Sequence, residues 1–350
     1  MKRGENLLVE TWSATLEWAE SLVLEARILG VRATLWLEDE PTYWKSVDLA
    51  PSSNLGQVGS HELAALKEAD AYVYLSGPFG TAREEARPQS LERRIRSIDH
   101  EWLRLAQKFG VRCVRWDLGR TSELRARRYH ADLNEWRNEL IEATAYDSRI
   151  LSRDGMRIAG CFRRGKEVTV SHPNGTDLKL RLAHREPIVD DGVVDESDVR
   201  SGHIMWALPG GVTGVSIDET YAEGTFVANC PGVMFLHERD YPLPQGTWKF
   251  HRGRLTGYSF ERGGEDFIRW FPKLGPGKER PSFISVGLNP RITSIPMVFD
   301  EARGMFCLSI GRNSFHGGKI RSPHFTAYQA LRNASIHIDG KMIVRAGTIT

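Results

Sequence analysis

The chain has 350 residues, of which 41% are hydrophobic and 26% charged, a composition that supports a buried core and excludes disorder, collagen-like repeats and coiled coil as the main architecture. Lysine plus arginine (47) nearly cancels aspartate plus glutamate (45), leaving a net charge of +2, so charge points to neither a nucleic-acid nor a membrane partner. At about 150 residues per domain the length predicts two domains.

In chain order, Leu7 to Thr11 reads as a strand and Ala14 to Leu29 as a helix. Leu16, Ala19, Leu22, Leu24, Ala26 and Leu29 lie on or near one face of that helix, and Gly30 ends it. Strands are predicted again at Ala33 to Leu37, Ala71 to Leu75 and Arg112 to Trp116, with a long helical pattern from about Leu91 to Phe109 closing on Gly110. Strand alternating with helix predicts a parallel sheet covered on both faces. The first domain, residues 1–147, is therefore expected to be α/β. Ser76 to Gly80 follows an apolar run as a strand-to-helix turn or an anion cradle, and Arg120 to Tyr146 reads as charged amphipathic helices at the domain boundary.

From Ser148 the pattern changes. Arg157 to Phe162, Glu167 to Ser171, Leu178 to Leu182, Gly224 to Asn229, Arg254 to Ser259 and Ile336 to Val344 are short runs between turn signals, and the main helical stretch is about Glu265 to Phe271. Asn174-Gly175 and Asp339-Gly340 sit between alternating runs, where a tight hairpin needs positive φ at both central residues. Residues 148–350 are expected to form a mostly antiparallel β domain. The four cysteines, Cys113, Cys161, Cys230 and Cys307, are far apart and form no C-x-x-C pair, which fits a reducing compartment. The start lacks the apolar core of a signal peptide, and no run of about 18 apolar residues occurs, so a cytoplasmic protein is expected.

Dinucleotide, P-loop, zincin and serine-hydrolase signatures are absent. Three Gly/Pro/Asn-rich segments stand among the β runs: Leu208 to Gly214, Val286 to Pro290, and Ile310 to Lys319 followed by Ser322-Pro323-His324. Such segments let a sheet rim approach a ligand closely.

In order along the chain, Thr176-Asp177-Leu178, Pro209-Gly210-Gly211, Glu223-Gly224-Thr225, Gly287-Leu288-Asn289-Pro290, Gly317-Gly318-Lys319 and Ile338-Asp339-Gly340-Lys341 resemble the motifs of the thermophilic aminopeptidases (aminopeptidases T, S and II), and Arg3 to Val9 resembles their opening strand. The resemblance covers most of the chain. It implies an α/β domain followed by a β-rich, metal-bearing domain, a cytosolic dimetal peptidase, and a homodimer around an enclosed cavity. Carried over position by position, the family's metal ligands fall on Val212, Phe283, Cys307, His324 and Thr326, and His324 alone keeps the family's ligand. Two divalent ions need several carboxylates or imidazoles to hold them and offset their charge. A related branch, the dihydroxypyridine dioxygenases, uses one iron held by two histidines and an aspartate, a set likewise missing.

The expectation is a divergent enzyme of this kind, not a conventional dimetal peptidase, acting on a small peptide or amino-acid-derived substrate with no metal or a single divalent one. The alternatives are a non-catalytic dimeric binding or scaffold protein, and a one-metal hydrolase or iron oxygenase with a rebuilt ligand set. The candidate catalytic residues are His324 (also the candidate metal ligand), Cys307 and Asp218; on the family's framework Cys307 and His324 would converge as a thiolate dyad, while Cys307 in the run Met305 to Leu308 also reads as a small buried hydrophobe. Asp218, Glu219 and Glu223 could serve as acid, base or ligand, or as surface acids of a turn. Arg312, His316 and Lys319 crowd one loop and are candidates for binding an anionic group.

Overall fold

The computed structural model describes residues 1–49, 57–86, 101–236, 239–293, 300–321 and 324–350. The first strands are β1 (Asn6–Trp12), β2 (Arg32–Glu38), β3 (Ala71–Leu75) and β4 (Arg112–Trp116). Then come β5 (Glu167–His172), β6 (Thr176–Leu182), β7 (Ile188–Asp190), β8 (Met205–Leu208), β9 (Val212–Val227), β10 (Cys230–Leu236), β11 (Arg239–Leu243), β12 (Gly246–His251) and β13 (Arg254–Phe260). The last are β14 (Pro281–Gly287), β15 (Phe306–Gly311), β16 (Phe325–Leu331), β17 (Ser335–Ile338), β18 (Lys341–Arg345) and β19 (Thr348–Ile349). No helix among the described residues is long and apolar enough to cross a membrane.

The chain divides into two units, residues 1–144 with 192–209, and residues 145–191 with 210–350. The first unit is a five-stranded parallel sheet in the order β2-β1-β3-β4-β8. Its central strands are apolar on both faces because both are covered. Leu7 and Val9 pack with Ala19, Val23 and Ala26 of the helix Leu16–Ile28. Leu8 and Tyr72 pack on the other side with Leu66, Leu105 and Ala106. The helix expected at Ala14 to Leu29 is present, but Val23 holds its core face while Leu24 and Leu29 are exposed. Of the helix expected from Leu91 to Phe109, residues 101–109 are helical and 91–100 lie outside the described residues. The edge strand β8 comes from well beyond residue 147: the chain leaves this unit after Thr144 and returns to complete its sheet.

The second unit holds fourteen strands among the described residues, with the path β11-β10-β16-β15-β14-β9-β6-β5-β17-β18-β19. Alternate residues of each strand, such as Val215, Ile217, Ile284, Val286, Phe306, Leu308 and Ile310, enter one core. The helix Ser148–Arg164 joins it through Leu151, Ile158 and Phe162, and Asp147 caps that helix by accepting a hydrogen bond from the Arg149 amide. The strand expected at Arg157 to Phe162 is thus the end of a helix: a short apolar run does not by itself distinguish period 2 from period 3.6. Gly155 lets this helix approach β7, since a Cβ there would meet Val189 Cγ1 at 2.6 Å.

Of the two expected hairpin turns, Asp339-Gly340 has positive φ at both residues (48° and 79°), as the tight turn requires. At Asn174-Gly175 only the glycine is positive (101°). There the Asn174 side chain sets the turn, accepting from the Thr176 amide at 3.1 Å and donating to the Val227 carbonyl at 2.8 Å. The glycine-rich segment at Leu208 to Gly214 is a turn only as far as Gly211. From Val212 it is the sixteen-residue strand β9, which absorbs Asp218, Glu219 and Glu223. Strand β17 pairs antiparallel with β5, bringing Ile336 against Val170.

Candidate functional site

The face of β9, β14, β15 and β16 turned away from the core carries four of the five positions at which the resemblance implies metal ligands or their replacements, Val212, Phe283, Cys307 and Thr326. One in-register row is Gly214, Ser285, Cys307 and Ala330; the next is Ser216, Phe283, Ser309 and Tyr328; Gly311 and Thr326 follow. Apart from Tyr328, the residues of these rows are small or apolar, and Ser216, Ser285, Cys307 and Ser309 are all buried. The Phe283 ring lies across the neighbouring strand over Gly214, where a Cβ would approach the ring to 2.3 Å. His316 lies tilted against the same ring, 4.5 Å between centroids and 31° between planes. Thr326 donates its hydroxyl to the Arg312 carbonyl at 3.0 Å. Phe283, Thr326 and Val212 offer no carboxylate or imidazole, so the residues of this face do not fit a two-metal centre. Among the described residues no group of three or more His, Cys, Asp or Glu side chains is placed to hold a metal ion.

Cys307 is 3% exposed, and burial, with the charges of Asp300 and Glu301 adding to it, pushes its thiol well above the usual range. The sulfur is therefore a protonated, packed group without thiolate character. Cys307 pairs with Ala330, six residues along the strand from His324. At about 3.4 Å per residue that separates them by roughly 20 Å, so the two expected members of a dyad sit at opposite ends of the β15–β16 ladder.

His324 is exposed at the rim, just before β16. Its Nδ1 lies 2.9 Å from Arg312 Nη1; because a guanidinium only donates, Nδ1 is the acceptor. The Arg312 guanidinium also covers the Phe315 ring at 4.1 Å and donates from Nε to Ser314 Oγ at 3.3 Å. Arg312, His316 and Lys319 do share one loop, as expected, but they face different ways. Arg312 meets His324, the His316 ring turns in to Phe283, and Lys319 contributes its backbone N–H, which donates to Glu219 Oε1 at 2.9 Å.

Glu219 organises that loop. Arg185 grips it with two bonds of 2.7 and 2.8 Å, and Asn313 Nδ2 donates to it at 2.9 Å and to the Ser282 carbonyl at 2.9 Å. Asn313 Oδ1 accepts from the Ile320 amide, and Gly318 lies against the same side chain with no room for a Cβ. Burial alone would raise the Glu219 carboxyl, but the Arg185 guanidinium, the Lys319 amide and the Asn313 side chain outweigh it and hold the group at about 2. Glu219 is a fixed anion, unsuited to carry protons near neutrality. Asp218 accepts from the Thr220 amide and hydroxyl at 2.9 and 2.6 Å, with Arg181 3.9 Å away. Glu223 accepts from the Arg252 amide and meets His251 Nδ1 at 3.1 Å. Sequence reasoning missed Arg185; the one signal available was an arginine beside the β6–β7 connection, with nothing to tie it to Glu219.

No family model matches this chain, and no curated protein does. Solved structures do. The wild-type AmpT of Thermus thermophilus superposes with a TM-score of 0.66 at 16% identity, covering 100% of this chain and 95% of that one. A 2,5-dihydroxypyridine dioxygenase of Pseudomonas putida KT2440 superposes with a TM-score of 0.62 at 17% identity, covering 99% and 92%. At such identities the likeness is one of fold, and this chain carries an architecture on which AmpT and a 2,5-dihydroxypyridine dioxygenase are also built.

Proposed function

We propose that this chain is a divergent relative of the thermophilic aminopeptidases that has lost dimetal peptide hydrolysis and uses the framework to bind a small peptide or amino-acid-derived ligand. The observation that carries the reading is Phe283 lying over Gly214 under the His316 ring. A dimetal centre requires anionic donors at such a position, both as ligands and to offset the ions' charge. An aromatic ring removes the donor and occupies the space. The test is metal content after dialysis against zinc, cobalt, manganese and iron salts, together with release of p-nitroaniline from aminoacyl p-nitroanilides. The expected result is less than one ion per chain and no turnover above buffer. Two tightly held ions with turnover would return peptide hydrolysis, and one retained iron with substrate-dependent oxygen uptake would select the oxygenase.

One observation favours a catalytic reading. Arg312 is paired with no carboxylate among the described residues and stands beside the exposed His324. A guanidinium there suits the carboxylate of a peptide or amino acid, and with Nδ1 accepting from Arg312 the His324 imidazole presents its Nε2–H as a donor to the ligand. On this reading Arg312→Ala weakens ligand binding while His324→Ala abolishes turnover and spares binding.

A further inference from the structure

A cavity of about 190 Å³ lies within the first unit, on one face of its parallel sheet. A dry engineered cavity of about 150 Å³ is enough to take up benzene, so this space holds one aromatic ring or two fused ones. The register builds its floor: β1, β3 and β4 bring Glu10, Tyr74 and Arg115 into one row, with Tyr72 two residues earlier on β3. Trp102 reaches it from the helix spanning 101–109, and Glu62 from the helix Ser60–Glu68.

The walls are rings and apolar side chains. Tyr72 and Tyr74 stand nearly parallel (9°), with centroids 6.3 Å apart, and Trp102 tilts at 56° to Tyr72 with centroids 5.4 Å apart. Leu103, Cys113 and Met205 extend this lining, and burial pushes the Cys113 thiol up to about 12, so it stays protonated. The charged and hydroxyl groups of the lining are already held by the protein. Asp117 takes up the Arg115 guanidinium through two bonds of 2.7 and 3.2 Å. Glu10 accepts from the Tyr72 hydroxyl at 2.6 Å and has a further partner, and Glu62 accepts from the Gly59 amide. The Tyr74 hydroxyl donates to the Gly77 carbonyl at 3.2 Å and accepts from the Gly77 amide at 3.3 Å. The exception is the Trp102 indole N–H, buried with no hydrogen-bond partner among the described residues. Other indole N–H groups are unpaired too, but Trp102 alone of them lines this cavity.

What the lining leaves open to a ligand is therefore ring surface and one donor. Aromatic rings pair offset or edge to face with centroids about 4.5–7 Å apart, the spacing these wall rings already keep, so an entering ring extends the cluster. A charged ligand would shed its water among groups whose charges are already answered, whereas an acceptor would satisfy a buried donor that is normally paired. The geometry points to a second binding site, in the first unit, for a neutral planar aromatic molecule of one or two fused rings bearing a ring nitrogen or carbonyl oxygen as acceptor. This site is independent of the reading of the second unit.

The test is equilibrium dialysis of the full chain, at a mildly alkaline pH where quinoline is uncharged, against quinoline, its acceptor-free isostere naphthalene, and the cation N-methylquinolinium. Quinoline is expected to bind saturably, and N-methylquinolinium at least about tenfold more weakly. Trp102→Phe keeps a ring and removes the N–H, and is expected to weaken quinoline about fivefold more than naphthalene, with unchanged circular dichroism. Lack of saturation by about 5 mM quinoline, equal affinity for N-methylquinolinium, or an equal effect of a folded Trp102→Phe protein on quinoline and naphthalene would each overturn the proposal. Should that variant fail to fold, the ratio of quinoline to N-methylquinolinium, whose nitrogen no longer accepts, decides alone on the unaltered chain.

Discussion

Glu219 shows how a single side chain can resemble a catalytic acid in sequence and act as a structural anchor in the fold. Its carboxyl is held at about 2 against an ordinary value of 4.5. The stabilisation this provides, on the order of 3 kcal/mol, is complete above pH 4.5 and is lost as pH falls toward 2, because the unfolded chain takes up the proton first. Glu219→Gln also strands the Arg185 guanidinium, which is only 13% exposed. Urea denaturation at pH 7 should show the variant less stable by about 3 kcal/mol, with the gap narrowing between pH 4.5 and 2. An equal gap at pH 7 and pH 2.5 would contradict this account. Residue roles were the least legible part of the sequence, for a physical reason. Cys307 sits in an apolar run and is buried, as one of its two readings had it, whereas the partners of Glu219 lie on β15's loop and on the β6–β7 connection, and no local pattern links them. His324, singled out by its place in the resemblance, lies at the rim with Arg312, far along the ladder from Cys307.

At the scale of elements the period-2 pattern carried most of the information. The strands at Leu7, Ala33, Ala71, Arg112, Glu167 and Arg254 lie where alternation or a short apolar run places them. The reading failed where small residues hide a strand. Val212 to Val227 begins among glycines and small polar residues because Phe283 from β14 lies over Gly214, so the side chain that completes this surface belongs to a distant segment. Gly214→Ala is expected to cost about 1–3 kcal/mol by overpacking, measured by thermal or urea unfolding. In a Phe283→Ala background the same substitution should cost less but keep a residual cost, since the ring is gone while the Ile284 carbonyl oxygen still lies 2.8 Å from the added Cβ; a full additive cost would show that the carbonyl, not the ring, constrains Gly214.

For the whole molecule, composition and the alternation of strands and helices made the two architectures legible, one parallel and one largely antiparallel. The path between them was not legible, because β8 is four residues long and is added to a sheet whose other strands end by residue 116. A fragment stopping at residue 144 would leave the outer ladder groups of β4 unpaired, an open edge that favours association. It should elute as aggregates in size-exclusion chromatography, while a version with residues 192–209 attached through a flexible linker should run as a monomer. The pairing of Ile336 with Val170 carries a consequence for biosynthesis. At a translation rate of about 5–20 residues per second, β5 emerges roughly 10–30 s before the segment that will cover its flank. During that interval the nascent polypeptide carries an unprotected hydrophobic margin, so ribosome-bound chains stalled short of residue 335 should recruit holdase chaperones more strongly than chains released at full length.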